Sequence, residues 1–144
     1  MGATIRVAVC DDARAVKLFL RQVLEDEGDI EVVSATSTGR DALDALDRKR
    51  PDALLLDLLL PDVADPGALV RELRARSPAT VIVLISNMPP ENLRDEAERV
   101  GADGWALKAS KPEQLRSAVR DAVSALGPGD AVSRRAAAGG TRSA

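Results

Sequence analysis

An α/β domain built on a five-stranded parallel sheet, with helices on both faces, is the fold class this sequence predicts. Three observations predict it. Apolar runs of strand length, IRVAVC, ALLL and VIVLI among them, alternate with stretches of helical period, the pattern of repeated strand–helix units. The runs are continuous rather than alternating, as in strands covered on both sides. Four of the runs end on polar residues, Asp11 with Asp12, Asp57, Ser86 and Lys108, at the edge where open α/β sheets bind ligands.

The strands read as Ile5 to Cys10, Ile30 to Ala35, Ala53 to Leu58, Thr80 to Ile85 and Gly104 to Leu107. After the first strand, Val16, Phe19, Leu20, Val23 and Leu24 recur at helical spacing and form one apolar stripe on a helix ending near Gly28. Ala42, Leu43 and Leu46 mark the second helix, with Arg48 to Arg50 at its negative end and Pro51 stopping it. Leu69, Val70 and Leu73 mark the third, and Pro78 lies beyond its end. The fourth starts at Pro90, turns Leu93, Ala97 and Val100 inward, and closes at Gly101. The fifth runs from about Pro112 through Leu115, Val119, Ala122 and Val123 to Leu126.

At 144 residues and 45% apolar content the chain suits one soluble domain with a single core. We place that domain at residues 1–126. Residues 127–144, GPGDAVSRRAAAGGTRSA, read as a disordered C-terminal tail, with Arg134, Arg135 and Arg142 against Asp130 offering an acidic partner a weak contact. The net charge of −3 gives no general basis for binding nucleic acid. One cysteine and no histidine exclude a disulfide framework and a zinc centre, and fit a reducing cytoplasm. Cys10 reads as a small buried strand residue, with a redox role as the alternative. The N-terminus is too weakly apolar for a secretory signal, and no stretch approaches the roughly 18 to 20 apolar residues of a membrane span.

The chemistry lies at the strand ends. Adjacent carboxylates repel and raise one another's pKa, so Asp11 and Asp12 call for a neighbouring cation. A hard divalent ion such as Mg²⁺ takes oxygen ligands and keeps several waters, and Asp57 arrives from another strand as a third carboxylate. The competing role for Asp12 is capping the helix that follows. Lys108 suits phosphate oxygens or stands as a surface charge, and Ser86 either donates its hydroxyl to an anion or merely opens the loop toward Pro89 and Pro90. Together the five residues make a site for moving a phosphoryl group onto Asp57.

These residues resemble the receiver domain of bacterial two-component response regulators, over residues 4 to about 126. The acid pair, Asp57, Ser86 and Lys108 fall after the first, third, fourth and fifth strands in the family's order. RPDALLLDLLLPD resembles the family's aspartate followed four residues later by proline, here Asp57 and Pro61, and GADGWALK resembles its Gly-Ala-x-Gly-aromatic stretch. DIEVVSATSTGRDAL and GADGWALKASKPEQL look closest to receivers with a C-terminal helix-turn-helix output.

The resemblance implies a flavodoxin-like strand order 2-1-3-4-5. It implies that Asp57 is the phosphoacceptor, that Asp11, Asp12, Asp57 and the Leu59 carbonyl hold Mg²⁺, and that Ser86 and Lys108 bind the phosphoryl oxygens. It further implies that Ser86 and Trp105 form a switch acting on a protein-binding surface around the fourth helix, fifth strand and fifth helix. Trp105 also reads as an ordinary strand aromatic. The expected partners are a histidine kinase or phosphotransfer protein, a downstream protein target and, on phosphorylation, a second copy. No membrane and no direct nucleic-acid contact is expected. Such a domain is not a conventional enzyme, since it catalyses its own phosphorylation and dephosphorylation.

Four departures stand out. Asp65 occupies a position where the family usually has glycine, with Gly67 two residues later, so the loop is expected to bend differently. Ala109 follows the lysine in place of a cis proline, which leaves the Lys108–Ala109 bond open. Leu59 and Met88 are both apolar and crowd the path of attacking water, so slow dephosphorylation is expected. Three other readings remain: a phosphorylation-independent pseudo-receiver acting through its fourth-helix face, the receiver portion of a DNA-binding regulator, and an aspartate-nucleophile hydrolase. For the second the chain lacks room after Gly127, and for the third its short loops supply no lid.

Overall fold

Two segments, ALLLD and VIVLIS, are buried at every position, and they form the centre of the sheet. Strands covered on both faces cannot show a polar–apolar alternation. The computed structural model describes residues 4–126. In it β1 (Ile5–Cys10), α1 (Arg14–Glu25), β2 (Ile30–Thr36), α2 (Gly39–Lys49), β3 (Ala53–Asp57), α3 (Pro66–Arg76), β4 (Val81–Ser86), α4 (Pro90–Val100), β5 (Gly104–Leu107) and α5 (112–126) follow one another along the chain. The strands are parallel, in the order β2-β1-β3-β4-β5 expected from the resemblance. The assigned tail lies outside the described residues.

Side chains alternate across the sheet and sort the core into two halves. Val7, Val9, Leu55, Val83 and Ile85 pack with α1 and α5 through Leu20, Leu24, Leu115 and Val119. Ala8, Cys10, Leu54, Leu56, Ile82 and Leu84 pack with α2, α3 and α4 through Leu46, Leu73, Leu93 and Ala97. Within the strands, Asp57 continues the first set, whereas Ser86 and Trp105 belong with the second.

The helices begin and end where local chemistry allows. Thr38 caps α2 through its hydroxyl, and Asp65 caps α3 by accepting from the Ala68 N–H, with Pro66 in the first turn. Asp65 has φ −127°, so no glycine is needed there and the loop ends in a cap instead. Gly101, at φ +79°, closes α4 in the left-handed conformation that glycine adopts most easily. Arg116 and Arg120 tie α5 to the end of α1: Arg116 donates to the Val23 carbonyl, and Arg120 forks onto Asp29.

The sequence reading needs correction in a few places. Phe19 is not on the buried face of α1: it is 42% exposed beside Leu18, and Leu20, Val23 and Leu24 carry the packing. A member of an apolar stripe fixes its direction poorly when both flanking positions, here Leu18 and Leu20, are apolar. β2 gains Thr36, β3 stops at Asp57, and β4 runs from Val81 to Ser86. Thr80 leaves the strand because its hydroxyl donates to the Pro51 carbonyl in a buried turn. β2 also carries a register shift opposite Val7 and Ala8, which strict periodicity cannot anticipate. All peptide bonds among the described residues are trans, the Lys108–Ala109 bond included.

Candidate functional site

The sheet register assembles the site. Cys10 lies opposite Leu56, so Asp11 emerges level with Asp57, and Asp57 in turn lies opposite Ile85. One row further, Ser86 lies opposite Leu107, and the Lys108 N–H donates to the Ser86 carbonyl. Strand ends at matching height thus bring four separate segments of sequence to one edge.

The acids differ in setting. Asp11 is fully buried; its Oδ1 accepts from the Ala13 N–H at 2.8 Å, and its Oδ2 meets the Lys108 ammonium at 2.6 Å. Lys108 also approaches Asp57 Oδ1 at 3.3 Å, and the same oxygen accepts from the Leu59 N–H at 3.1 Å. Asp12 is exposed and does not cap α1, whose N-cap is Ala13 without a side-chain bond. Carboxylate oxygens of Asp11, Asp12 and Asp57 all lie within 4.8 Å of one another. Three carboxylates therefore gather beside one ammonium, which pairs with two of them.

Electrostatics follow from that imbalance. Burial pushes the Asp57 carboxyl above its ordinary value, the Asp11 charge adds to this, and the Leu59 N–H and Lys108 oppose it. Burial alone would lower the Lys108 pKa, but its bond to Asp11 and the two carboxylate charges hold it above the usual lysine value. Neutral Cys10 sits behind the acids: burial pushes its thiol up to about 11, and its Sγ donates to the Thr38 carbonyl. A thiol so placed is inert, as a small strand residue should be.

Ser86 accepts from the Met88 N–H at 3.2 Å, which leaves its hydroxyl hydrogen to donate elsewhere. Leu58 and Leu60 are buried while Leu59 between them is 71% exposed, so the loop after Asp57 is pinned on both sides of Leu59. Met88 is partly buried against the α4 half of the core, as is Trp105. Trp105 also lines a groove with Gly104 and α5 residues Ala118, Asp121 and Ala122. Lys108 is therefore no surface charge: it meets Asp11 and Asp57, Asp12 lies beside them, and Ser86 stands at the same sheet edge. Sequence reading missed Asp62, whose carboxylate accepts from the N–H groups of Gly39 and Arg40. An acid one residue after the proline of a loop gives no signal of a partner 23 residues upstream.

A doubly wound parallel sheet with an acid cluster, a hydroxyl and a lysine at its carboxyl edge defines a phosphoacceptor class of domain. The model of the response regulator receiver domain matches residues 7–120, and the chain belongs to that family. Response regulator UvrY of Escherichia coli K12 is 31% identical over 121 residues, covering 83% of this chain and 55% of UvrY. The uncharacterized transcriptional regulatory protein YhcZ of Bacillus subtilis is 31% identical over 111 residues, covering 77% of this chain and 51% of YhcZ. The chain thus spans about half the length of the curated relatives it matches. The signal receiver domain of NarL from Mycobacterium tuberculosis superposes with a TM-score of 0.76 at 28% identity, covering 85% of this chain and 98% of that one. No helix among the described residues is long and apolar enough to cross a membrane. Phosphorylation-based switching is the standard function of receiver domains.

Proposed function

We propose that Asp57 accepts a phosphoryl group from a histidine kinase or phosphotransfer protein, in the cytoplasm, and that the change is read on the surface around α4, β5 and α5. The observation that carries this reading is the convergence of Asp11, Asp12 and Asp57 with Lys108 paired to two of them. The donor set fits Mg²⁺: it is all oxygen, it carries more negative charge than Lys108 balances, and exposed Asp12 leaves a side open to water. Asp11, Asp12, Asp57 and the Leu59 carbonyl would hold the ion. Bound there, Mg²⁺ supplies positive charge to the phosphoryl oxygens as charge develops on them.

The chain's own residues do the rest. A carboxylate oxygen of Asp57 attacks phosphorus, the P–N bond of the donor's phosphohistidine breaks, and its electron pair leaves on the imidazole nitrogen, which takes a proton from water. The Leu59 N–H and Lys108 orient the carboxylate before attack. Lys108 and the Ser86 hydroxyl then hold phosphoryl oxygens, each charge-assisted bond stronger than a neutral one. Water later attacks phosphorus and releases phosphate, restoring Asp57. Incubation with acetyl phosphate and Mg²⁺ should raise the intact mass by one HPO₃ unit, and the gain should vanish in Asp57→Asn. A mass unchanged in the wild type would refute the reading.

Leu59 is exposed two residues past Asp57, and in this reading its side chain crowds the approach of water. The acyl phosphate should be long-lived, and Leu59→Asn, which can orient a water, should shorten its lifetime about tenfold, the effect of taking ~1.4 kcal/mol off the hydrolysis barrier. Loss within seconds that Leu59→Asn leaves unaltered would remove Leu59 from this role.

Drawing Ser86 toward the phosphoryl group vacates space on the α4 face, where Trp105 packs. A preference of ~3 kcal/mol for the new arrangement shifts the ratio of states roughly 150-fold. Beryllofluoride with Mg²⁺ should therefore change Trp105 emission in the wild type and not in Ser86→Ala. A flat response in the wild type would sever Trp105 from the switch. Because YhcZ is named a transcriptional regulatory protein and this chain matches about half of it, a second reading makes this domain the receiver of a DNA-binding regulator.

A further inference from the structure

The loop from Leu58 to Asp65 leaves β3 directly after Asp57 and carries Leu59. Its first residue is tied to the sheet, since the Leu58 N–H donates to the Ile85 carbonyl at 3.1 Å. Its last, Asp65, caps α3. Between them a turn closes when the Val63 N–H donates to the Leu60 carbonyl at 3.1 Å. The middle of the loop is held from outside: Asp62 Oδ1 accepts from the Gly39 N–H at 3.0 Å, and Oδ2 accepts from the Arg40 N–H at 3.3 Å.

Both donors lie in the first turn of α2, whose N–H groups have no partner within the helix. A carboxylate there satisfies two of them and faces the positive end of the helix dipole. Gly39 also lies where loop and helix meet closely. A Cβ at that position would sit 2.7 Å from Val63 Cγ2 of the loop and 3.1 Å from Leu69 Cδ2 of α3, so an added methyl crowds the side chains packed there. Thr38, which precedes Gly39, accepts from Cys10 Sγ through its carbonyl, and Cys10 directly precedes Asp11. The start of α2 is thereby tied both to the strand that delivers Asp11 and to the loop that delivers Leu59.

We infer that Asp62 is a positioning residue for the phosphoacceptor site: by clamping the loop onto the Gly39–Arg40 turn, it sets where Leu59 stands relative to Asp57. This rests on the metal-assisted reading of the site. Outer partners of metal-binding groups typically control affinity by about 10–100-fold. Asp62→Ala should weaken Mg²⁺ binding about tenfold, and Asp62→Asn, which keeps one of the two oxygen acceptors, should recover part of it. Gly39→Ala should act like Asp62→Ala although Asp62 remains. Asp65→Ala removes a cap from the far end of the same loop and should leave Mg²⁺ affinity within twofold.

Amide hydrogen exchange without Mg²⁺ supplies a second readout. In Asp62→Ala the Gly39, Arg40, Leu59 and Val63 amides should exchange about tenfold faster, while those of β3 and β4 keep wild-type rates. Wild-type affinity and wild-type exchange in Asp62→Ala would overturn the inference, as would equal weakening by Asp62→Ala and Asp65→Ala. If wild-type protein itself binds no Mg²⁺, the metal-assisted reading fails, and the exchange rates still decide whether Asp62 clamps the loop.

Discussion

Lys108→Met is expected to lower stability by about 3–5 kcal/mol, the usual consequence of leaving one partner of a buried ion pair alone. Asp11 has no exposed surface, and its Oδ2 meets the Lys108 ammonium at 2.6 Å. A loss of that size corresponds to a fall in Tm of about 10 °C or more for a domain of this length. Thermal denaturation in EDTA is the measurement. Added Mg²⁺ should restore part of the loss by mass action, because the ion replaces the missing positive charge. Asp11→Asn combined with Lys108→Met should be more stable than Lys108→Met alone, since no orphaned charge remains. A Lys108→Met domain within about 1 kcal/mol of wild type would show that water already reaches Asp11. Acetyl phosphate labelling should fall about 10²–10³-fold, as when one charge-stabilising donor is removed from an active site.

The pH dependence of that pair follows from its direction. The Lys108 pKa is raised in the folded state, through its bonds to Asp11 and Asp57, against burial. The pair's stabilisation is thus fully present below the ordinary lysine value and is lost as pH rises through the higher folded value. Acid should not weaken it through Lys108.

Asp57→Asn should have the opposite effect on stability while abolishing the phosphoryl gain. The Asp57 carboxyl is pushed up by burial, so its charged form is disfavoured in the folded domain. Asparagine removes that cost and should raise Tm by about 2–5 °C at neutral pH in EDTA, corresponding to about 1 kcal/mol. The sign with pH is fixed. Wild-type Asp57 takes its proton at higher pH when folded than when unfolded, so the wild type gains on the variant as pH falls through the folded value. The gap should close once pH is below the unfolded carboxylate value. A variant less stable than wild type at pH 7 would mean that the bonds to Leu59 and Lys108 outweigh burial. Saturating Mg²⁺ should narrow the gap from the other side, by stabilising the wild type more than a variant that lacks one carboxylate ligand.

Much of this was legible because the informative residues sit at strand ends. Asp57, Ser86 and Lys108 each interrupt or follow an apolar run, and a run buried on both faces announces its own limit. Helix caps and stops were legible for the same reason at Pro51, Pro90 and Gly101, where backbone chemistry is local. Phe19 was not, since the stripe of α1 is flanked by Leu18 and periodicity alone cannot say which apolar neighbour turns to water. The capping role of Asp65 went unread, although aspartate before proline is itself a helix-start signal. Asp62 lay out of reach altogether. Its partners are backbone groups of another helix, and backbone N–H groups carry no residue identity.

The alternation of the sheet also bears on how such a domain changes partners. Asp57 shares a face with the side chains packed under α1 and α5, whereas Ser86 and Trp105 share the other with α2, α3 and α4. A lineage of these domains can therefore redraft the outer surface of α4, residue by residue, without replacing any side chain on the phosphoacceptor's face. On the α4 side reaction and recipient are free to drift at separate rates, whereas α5 shares the phosphoacceptor's face. Ser86, last residue of β4, is where the two histories must stay compatible.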